Sequence, residues 1–354
     1  MKDNYSLCLL YLYYDDYGAF VTIDIMFERP GWWSKEGIMD KNICIYQLAT
    51  EFLEQIKPLD VNLDNYFLGD SRNYSSLKDI YIQFIRSAQN YQSMPNVIKF
   101  EERKDLISSF LFDYDYNQIK NLSSEDLYVS LRDAFNVGGA DNNFNSWHKW
   151  SKSVVDSARF ISDFSDVNDF ETFVKLFDYN VSTRMALPLL ISQKISGIGF
   201  ALACDLLKEL GFTNYPKPDV HLIEVFSSLG LSENNAISTF EAIVRMSDCC
   251  KAEDPSATPY KIDKIFWLIC SGRFYLEKPE ISVGRYKKQF IEYVKRKLPE
   301  KEKYLVAEKR IDELGKIIEP YWDSEIRNVR KDAPKEIQDA YRELFDLWDD
   351  LTTV

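Results

Sequence analysis

The sequence predicts a mainly α protein: a helical central domain (145–276), an α+β amino-terminal domain before it (1–140) and a helical extension after it (277–354). Three observations lead there. Apolar residues recur at helical spacing through the middle of the chain, with Trp147, Trp150, Val154, Ala158 and Ile161 on one face. Two runs rich in aromatic and β-branched residues, Leu7–Tyr14 and Ala19–Phe27, precede Pro30. A composition of 45% hydrophobic and 15% aromatic residues in 354 supplies apolar surface for more than one packed domain.

Taken in chain order, Leu7–Tyr14 and Ala19–Phe27 read as strands around Asp15-Asp16-Tyr17-Gly18, a hairpin that Pro30-Gly31 ends. Helices are expected near 43–57, 76–90, 102–112 and 124–135. The glycine- and asparagine-rich run Val137–Asn143 is the expected domain boundary. Beyond it, Phe170, Phe173, Val174 and Phe177 make a second apolar stripe. Ile237, Phe240, Ile243 and Val244 make a third, and Ile262, Ile265, Phe266 and Ile269 a fourth. Core packing is the expected role of these side chains.

Charge separates the extension from the rest. The chain carries a net −13, which excludes a uniformly basic nucleic-acid coat. Between Lys278 and Lys331, however, 15 Lys and Arg stand against 10 Asp and Glu. Arg285, Lys287, Lys288, Lys295, Arg296 and Lys297 cluster there around Tyr286, Phe290 and Tyr293. The run suits either a solvated amphipathic helix or a phosphate-contacting surface.

Six cysteines without a C-x-x-C, and only two histidines, argue against a disulfide framework or a zinc site. Leu7–Tyr14 is too short to span a bilayer and runs into Asp15-Asp16, unlike a signal peptide. A cytoplasmic, reduced, monomeric protein without a membrane segment is expected.

The informative segment is Ser196-Gly197-Ile198-Gly199, between two apolar helical runs. Its glycines permit unusual backbone angles and close approach of a ligand, while Ile198 can plug the angle between the helices. Amides at the following helix start form an anion site suited to a phosphate. Downstream, Tyr215-Pro216-Lys217-Pro218 stiffens the approach to Asp219-Val220-His221. Asp219 at a helix start can cap and catalyse at once.

With these residues in place, the chain resembles the helix-hairpin-helix DNA glycosylases, the HhH-GPD superfamily. Ser196-Gly197-Ile198-Gly199 matches the family's hairpin and Asp219-Val220-His221 its catalytic D-x-H loop. Bifunctional members carry a lysine two residues after the second hairpin glycine; here that position is Ala201, eighteen residues before Asp219. The resemblance covers Ser146 to Gly272 and is most specific between Lys194 and Leu222.

The resemblance implies a monofunctional DNA glycosylase that flips a damaged or modified base out of duplex DNA and hydrolyses its glycosidic bond. It casts Asp219 as the carboxylate that stabilises the sugar cation and directs water. Ser196, Gly197, Ile198 and Gly199 become DNA contacts, with Lys217 offered to a backbone phosphate. His221 becomes a support hydrogen-bonded beneath the loop, and Ala201 leaves room for the water. No cofactor is implied beyond a monovalent cation at the hairpin, and too few cysteines follow for an iron–sulfur cluster. The acidity and the unmatched flanking domains point toward a specialised substrate, such as a hypermodified phage base excised in antiviral defence. The rival readings are a hairpin module that binds DNA without catalysis and a helical protein–protein scaffold.

Overall fold

The computed structural model describes residues 11–15, 18–22, 41–69, 74–91, 94–323 and 328–352. Among them are sixteen α-helices and three two-stranded antiparallel ladders, so the fold is mainly helical. Strands β1 (Tyr11–Asp15) and β2 (Gly18–Thr22) pair with Asp15 opposite Gly18, the hairpin expected at this position. Residues 7–10, 16–17 and 23–27 of the expected hairpin, and Pro30-Gly31, lie outside the described residues.

The helices that follow are α1 (Lys41–Ile56), α2 (Asp64–Phe67), α3 (Leu77–Ala88), α4 (Met94–Ile98), α5 (Phe100–Phe110), α6 (Tyr116–Ile119) and α7 (Ser124–Ala134). The four helices expected from the sequence in this region are α1, α3, α5 and α7. After the glycine-rich loop come α8 (Ser146–Ile161), α9 (Val167–Leu176), α10 (Val181–Lys194), α11 (Phe200–Glu209), α12 (Val220–Ser228), α13 (Ala236–Cys250) and α14 (Pro259–Ser271). A short ladder, β3 (Arg273–Phe274) with β4 (Ile281–Ser282), leads to the long α15 (Lys287–Ile318). The chain closes with β5 (Trp322–Asp323), β6 (Asn328–Val329) and α16 (Lys335–Thr352).

The helix starts follow local chemistry. Ser76, Ser123, Asn145, Asp166, Asn180, Asn235 and Thr258 each accept a backbone N–H from the first turn that follows. Each satisfies a donor that the helix itself leaves open.

Residues 45–295 form one compact unit. Its main core joins residues from both sides of the expected boundary: Phe135 stacks on Trp147 at 4.8 Å between ring centroids, and Phe100 lies 6.1 Å from Trp150. The loop 137–145 is therefore a connection within this core. The Trp147 and Trp150 rings, with Phe170, Phe240 and Phe266, are fully buried, as their helical spacing implied. The described residues up to Cys44 and from Arg296 onward make a second unit. In it, Leu314, Ile318, Val329, Ala333, Ala340 and Leu344 form a small apolar core. Arg310 holds Glu343 through two hydrogen bonds of 2.7 and 2.9 Å.

Candidate functional site

Helix α10 ends at Ile195, whose extended backbone turns the chain into Ser196-Gly197-Ile198-Gly199. Gly197 has φ +82°, in the left-handed region, and a Cβ there would sit 2.8 Å from the Ser153 hydroxyl. Only glycine meets both demands. Gly199 differs: its φ is −82° and a Cβ would meet nothing within 4 Å. The fold does not require glycine at 199, so the open space there is available to a ligand. Ile198 is 2% exposed and plugs the inner side of the turn.

Helix α8 fixes the hairpin from below. The Ser153 hydroxyl donates to Ser196 O at 2.5 Å, and Ser196 N–H donates to the Asp156 carboxylate at 3.1 Å. The turn also closes on itself, Ile198 N–H donating to Ile195 O. The carbonyls of Ile195 and Ser196 thus each accept a hydrogen bond from the chain. Gly199 offers no capping side chain, so the first amides of α11, at Phe200 and Ala201, point out of the helix start without an acceptor among the described residues. Ala201 lies half-buried on that first turn.

The loop to Asp219 is held along α11 and α14. Lys217 donates its Nζ to Asp205 at 2.6 Å and its backbone N–H to Asp263 at 2.8 Å. Lys208, between the same two aspartates, lies 3.2 Å from Asp205 and 2.9 Å from Asp263. Asp205, Lys208 and Asp263 are all buried, so two lysines and two aspartates form a nearly dry, charge-balanced knot. Burial alone would neutralise Lys208, but Asp263 and Asp205 hold its pKa above the ordinary value. Burial likewise opposes ionisation of Asp205, and Lys208 and Lys217 outweigh it and lower its pKa. Asp205 stands six residues into the helix from Gly199, about 9 Å along the axis. The knot therefore ties the Asp219 loop to the helix that begins at the hairpin.

Asp219 caps α12. Its Oδ1 accepts the N–H groups of His221 at 2.9 Å and Leu222 at 3.0 Å, while Oδ2 has no partner among the described residues. Its neighbour His221 lines a cavity of about 490 Å³ with Cys270, Arg285, Lys287, Lys288, Gln289 and Glu292; Asp219 itself is not in the wall. Burial pushes the Cys270 thiol up to about 12, and the nearby Asp219 carboxylate adds to the shift. Cys270 is therefore a neutral wall of the cavity, not a nucleophile.

Of the residues the sequence singled out, Gly197 takes a left-handed backbone, Ile198 is buried in the turn and Asp219 caps a helix, whereas Gly199 has an ordinary φ. Lys217 is committed to Asp205 and would reach a phosphate only by breaking that pair. His221 does not make the hydrogen bond expected beneath the loop: its Nδ1 is buried without a partner and its ring lines the cavity. In the basic run, Lys287 is paired with Glu224 and Lys297 with Glu300. Sequence reading missed Ser153, Asp156, Asp205, Lys208 and Asp263, because the contacts from α8 to the hairpin and from Asp263 to the two lysines span 40 residues or more. A lysine and an aspartate three apart on an otherwise apolar helix, Asp205 and Lys208, were the one signal available. No helix among the described residues is long and apolar enough to cross a membrane. Comparison with family models, curated proteins and solved structures returned no match.

Proposed function

We propose that this protein is a monofunctional DNA N-glycosylase that excises a modified base and leaves an abasic site. The observation that carries the reading is the divided carboxylate of Asp219. Two backbone amides hold Oδ1 in place and leave Oδ2 unpartnered among the described residues, two positions before His221, which lines a cavity. A fixed anion beside the sugar stabilises the positive charge that develops as the glycosidic bond breaks, and it orients the attacking water. The outward amides at the start of α11, above the open space at Gly199, suit a backbone phosphate and would position the strand without reading its sequence.

Ala201, at the position where bifunctional members carry their lysine, has no amine, and Lys208 and Lys217 are both tied into the buried knot. A Schiff-base route needs a free amine that attacks the sugar carbon; the lack of one at position 201 supports hydrolysis, and the exposed Lys288 of the cavity wall is the amine that a borohydride trap would reveal. The test is a panel of duplex and modified genomic DNAs incubated with the protein. Strands should stay intact until alkali cleaves them at abasic sites, and borohydride should trap no covalent protein–DNA adduct. An adduct formed by active protein would replace this reading with a lyase that uses another lysine. Alkali-stable DNA throughout the panel would leave a hairpin module without catalysis.

A further inference from the structure

Three cationic side chains, Arg285, Lys287 and Lys288, converge on the cavity that His221, two residues after Asp219, helps to line, against a single carboxylate, Glu292, in its wall. Lys287 is neutralised by Glu224. Arg285 and Lys288 are exposed and make no ion pair among the described residues. Among the lining residues this leaves Arg285 and Lys288 against Glu292, one net positive charge, in a chain whose net charge is −13.

Neither the fold nor the reaction calls for these charges. They sit at the start of the 32-residue helix α15, whose first turn holds no acidic residue. That end of a helix carries partial positive charge and favours anions, so cations there work against it. A carboxylate that meets a developing sugar cation gains nothing from ammonium and guanidinium groups close by, since they repel the same cation. What is left for Arg285 and Lys288 is solvation or an anion, and their convergence on one cavity favours the anion.

Resting on the glycosylase reading, we infer that this cavity binds an oxyanion of the DNA, with Arg285 and Lys288 as its ligands. Two parts of the substrate offer that chemistry: the backbone phosphate next to the flipped nucleotide, and an acidic substituent on the base itself. Arg285 can grip either in a two-pronged fork, and Lys288 adds a point charge. Gln289, on the same wall, supplies a neutral donor.

The experiment compares wild type with Arg285→Gln/Lys288→Gln, two exposed positions whose change leaves the core untouched. Binding is measured by fluorescence anisotropy on a short duplex with one tetrahydrofuran abasic analogue. It is then repeated with methylphosphonates on both sides of the analogue, and with 5-carboxycytosine or cytosine in its place. The variant should bind the abasic-analogue duplex, the carboxycytosine duplex or both about tenfold more weakly, the loss of one charge-assisted contact. If the partner is the backbone phosphate, methylphosphonates abolish the difference between variant and wild type. If it is the base, the difference appears with 5-carboxycytosine and is absent with cytosine. Equal affinities of variant and wild type on every duplex, or no affinity for any, overturn the inference. The glycosylase reading fails separately: a tenfold binding difference with no base released from any substrate would keep the anion site and remove the enzyme.

Discussion

A helix-capping carboxylate is held in one orientation by the amides it accepts, and that rigidity lets Asp219 act on charge that appears only in a transition state. The two hairpin glycines divide their work in a way that substitutions separate. Gly197→Ala forces a side chain into the left-handed region and against Ser153, and should cost about 1–3 kcal/mol of stability. Gly199→Asp enters open space at an ordinary φ and adds a good N-cap. It should leave thermal stability unchanged or slightly raised while DNA affinity falls more than tenfold, because a carboxylate occupies the proposed phosphate position. Unaltered affinity in that stable variant would remove the hairpin from the DNA contact. Gly197, Gly199 and Asp219 were legible because one continuous stretch of chain carries both the turn and the loop. The unpartnered ring of His221 was not legible, since its environment is set by α14 and α15 rather than by its neighbours in sequence.

Between elements, the buried knot decides where the Asp219 loop lies. Lys208→Met removes one cation from between Asp205 and Asp263 and leaves uncompensated buried charge, which should cost about 3–5 kcal/mol in urea unfolding. A loss below about 1 kcal/mol would mean that the knot contributes little to the fold. The turn after α13 adds a second tie, in which Asp254 accepts from Lys261 at 2.6 Å and from Tyr46 at 2.5 Å. Burial raises the pKa of Asp254, but these bonds and that of Ser256 outweigh it and bring it from 3.8 to about 2. The fold then binds this proton more weakly than the unfolded chain. The stabilisation is complete above about pH 4 and is lost as the pH falls through about 2. Asp254→Asn should lower stability at pH 7 and flatten this part of the acid dependence, as read from urea midpoints across that range. The helices themselves were legible from apolar spacing and capping residues. The ties were not, because Lys217 and Lys208 meet Asp263 across 46 and 55 residues.

At the scale of the molecule, a net charge of −13 repels DNA at long range, so binding must come from local sites: the hairpin amides and the cations of the cavity wall. The sequence marked the charge contrast of the last stretch. It did not reveal that Lys287 is already paired with Glu224, leaving Arg285 and Lys288 against Glu292 in the cavity wall. Nor did it show that residues on both sides of the glycine-rich loop pack into one core, because hydrophobic spacing locates a helix face without naming the face it meets. The decisive comparison sets wild type against Asp219→Asn on any DNA from which the intact protein releases a base. Asparagine keeps the shape and the cap, so DNA affinity and unfolding midpoint should match wild type. Single-turnover base release should fall at least a hundredfold, roughly the loss expected when a fixed charge is removed from a transition state. Release at the wild-type rate by a folded, DNA-binding Asp219→Asn protein would place the chemistry elsewhere.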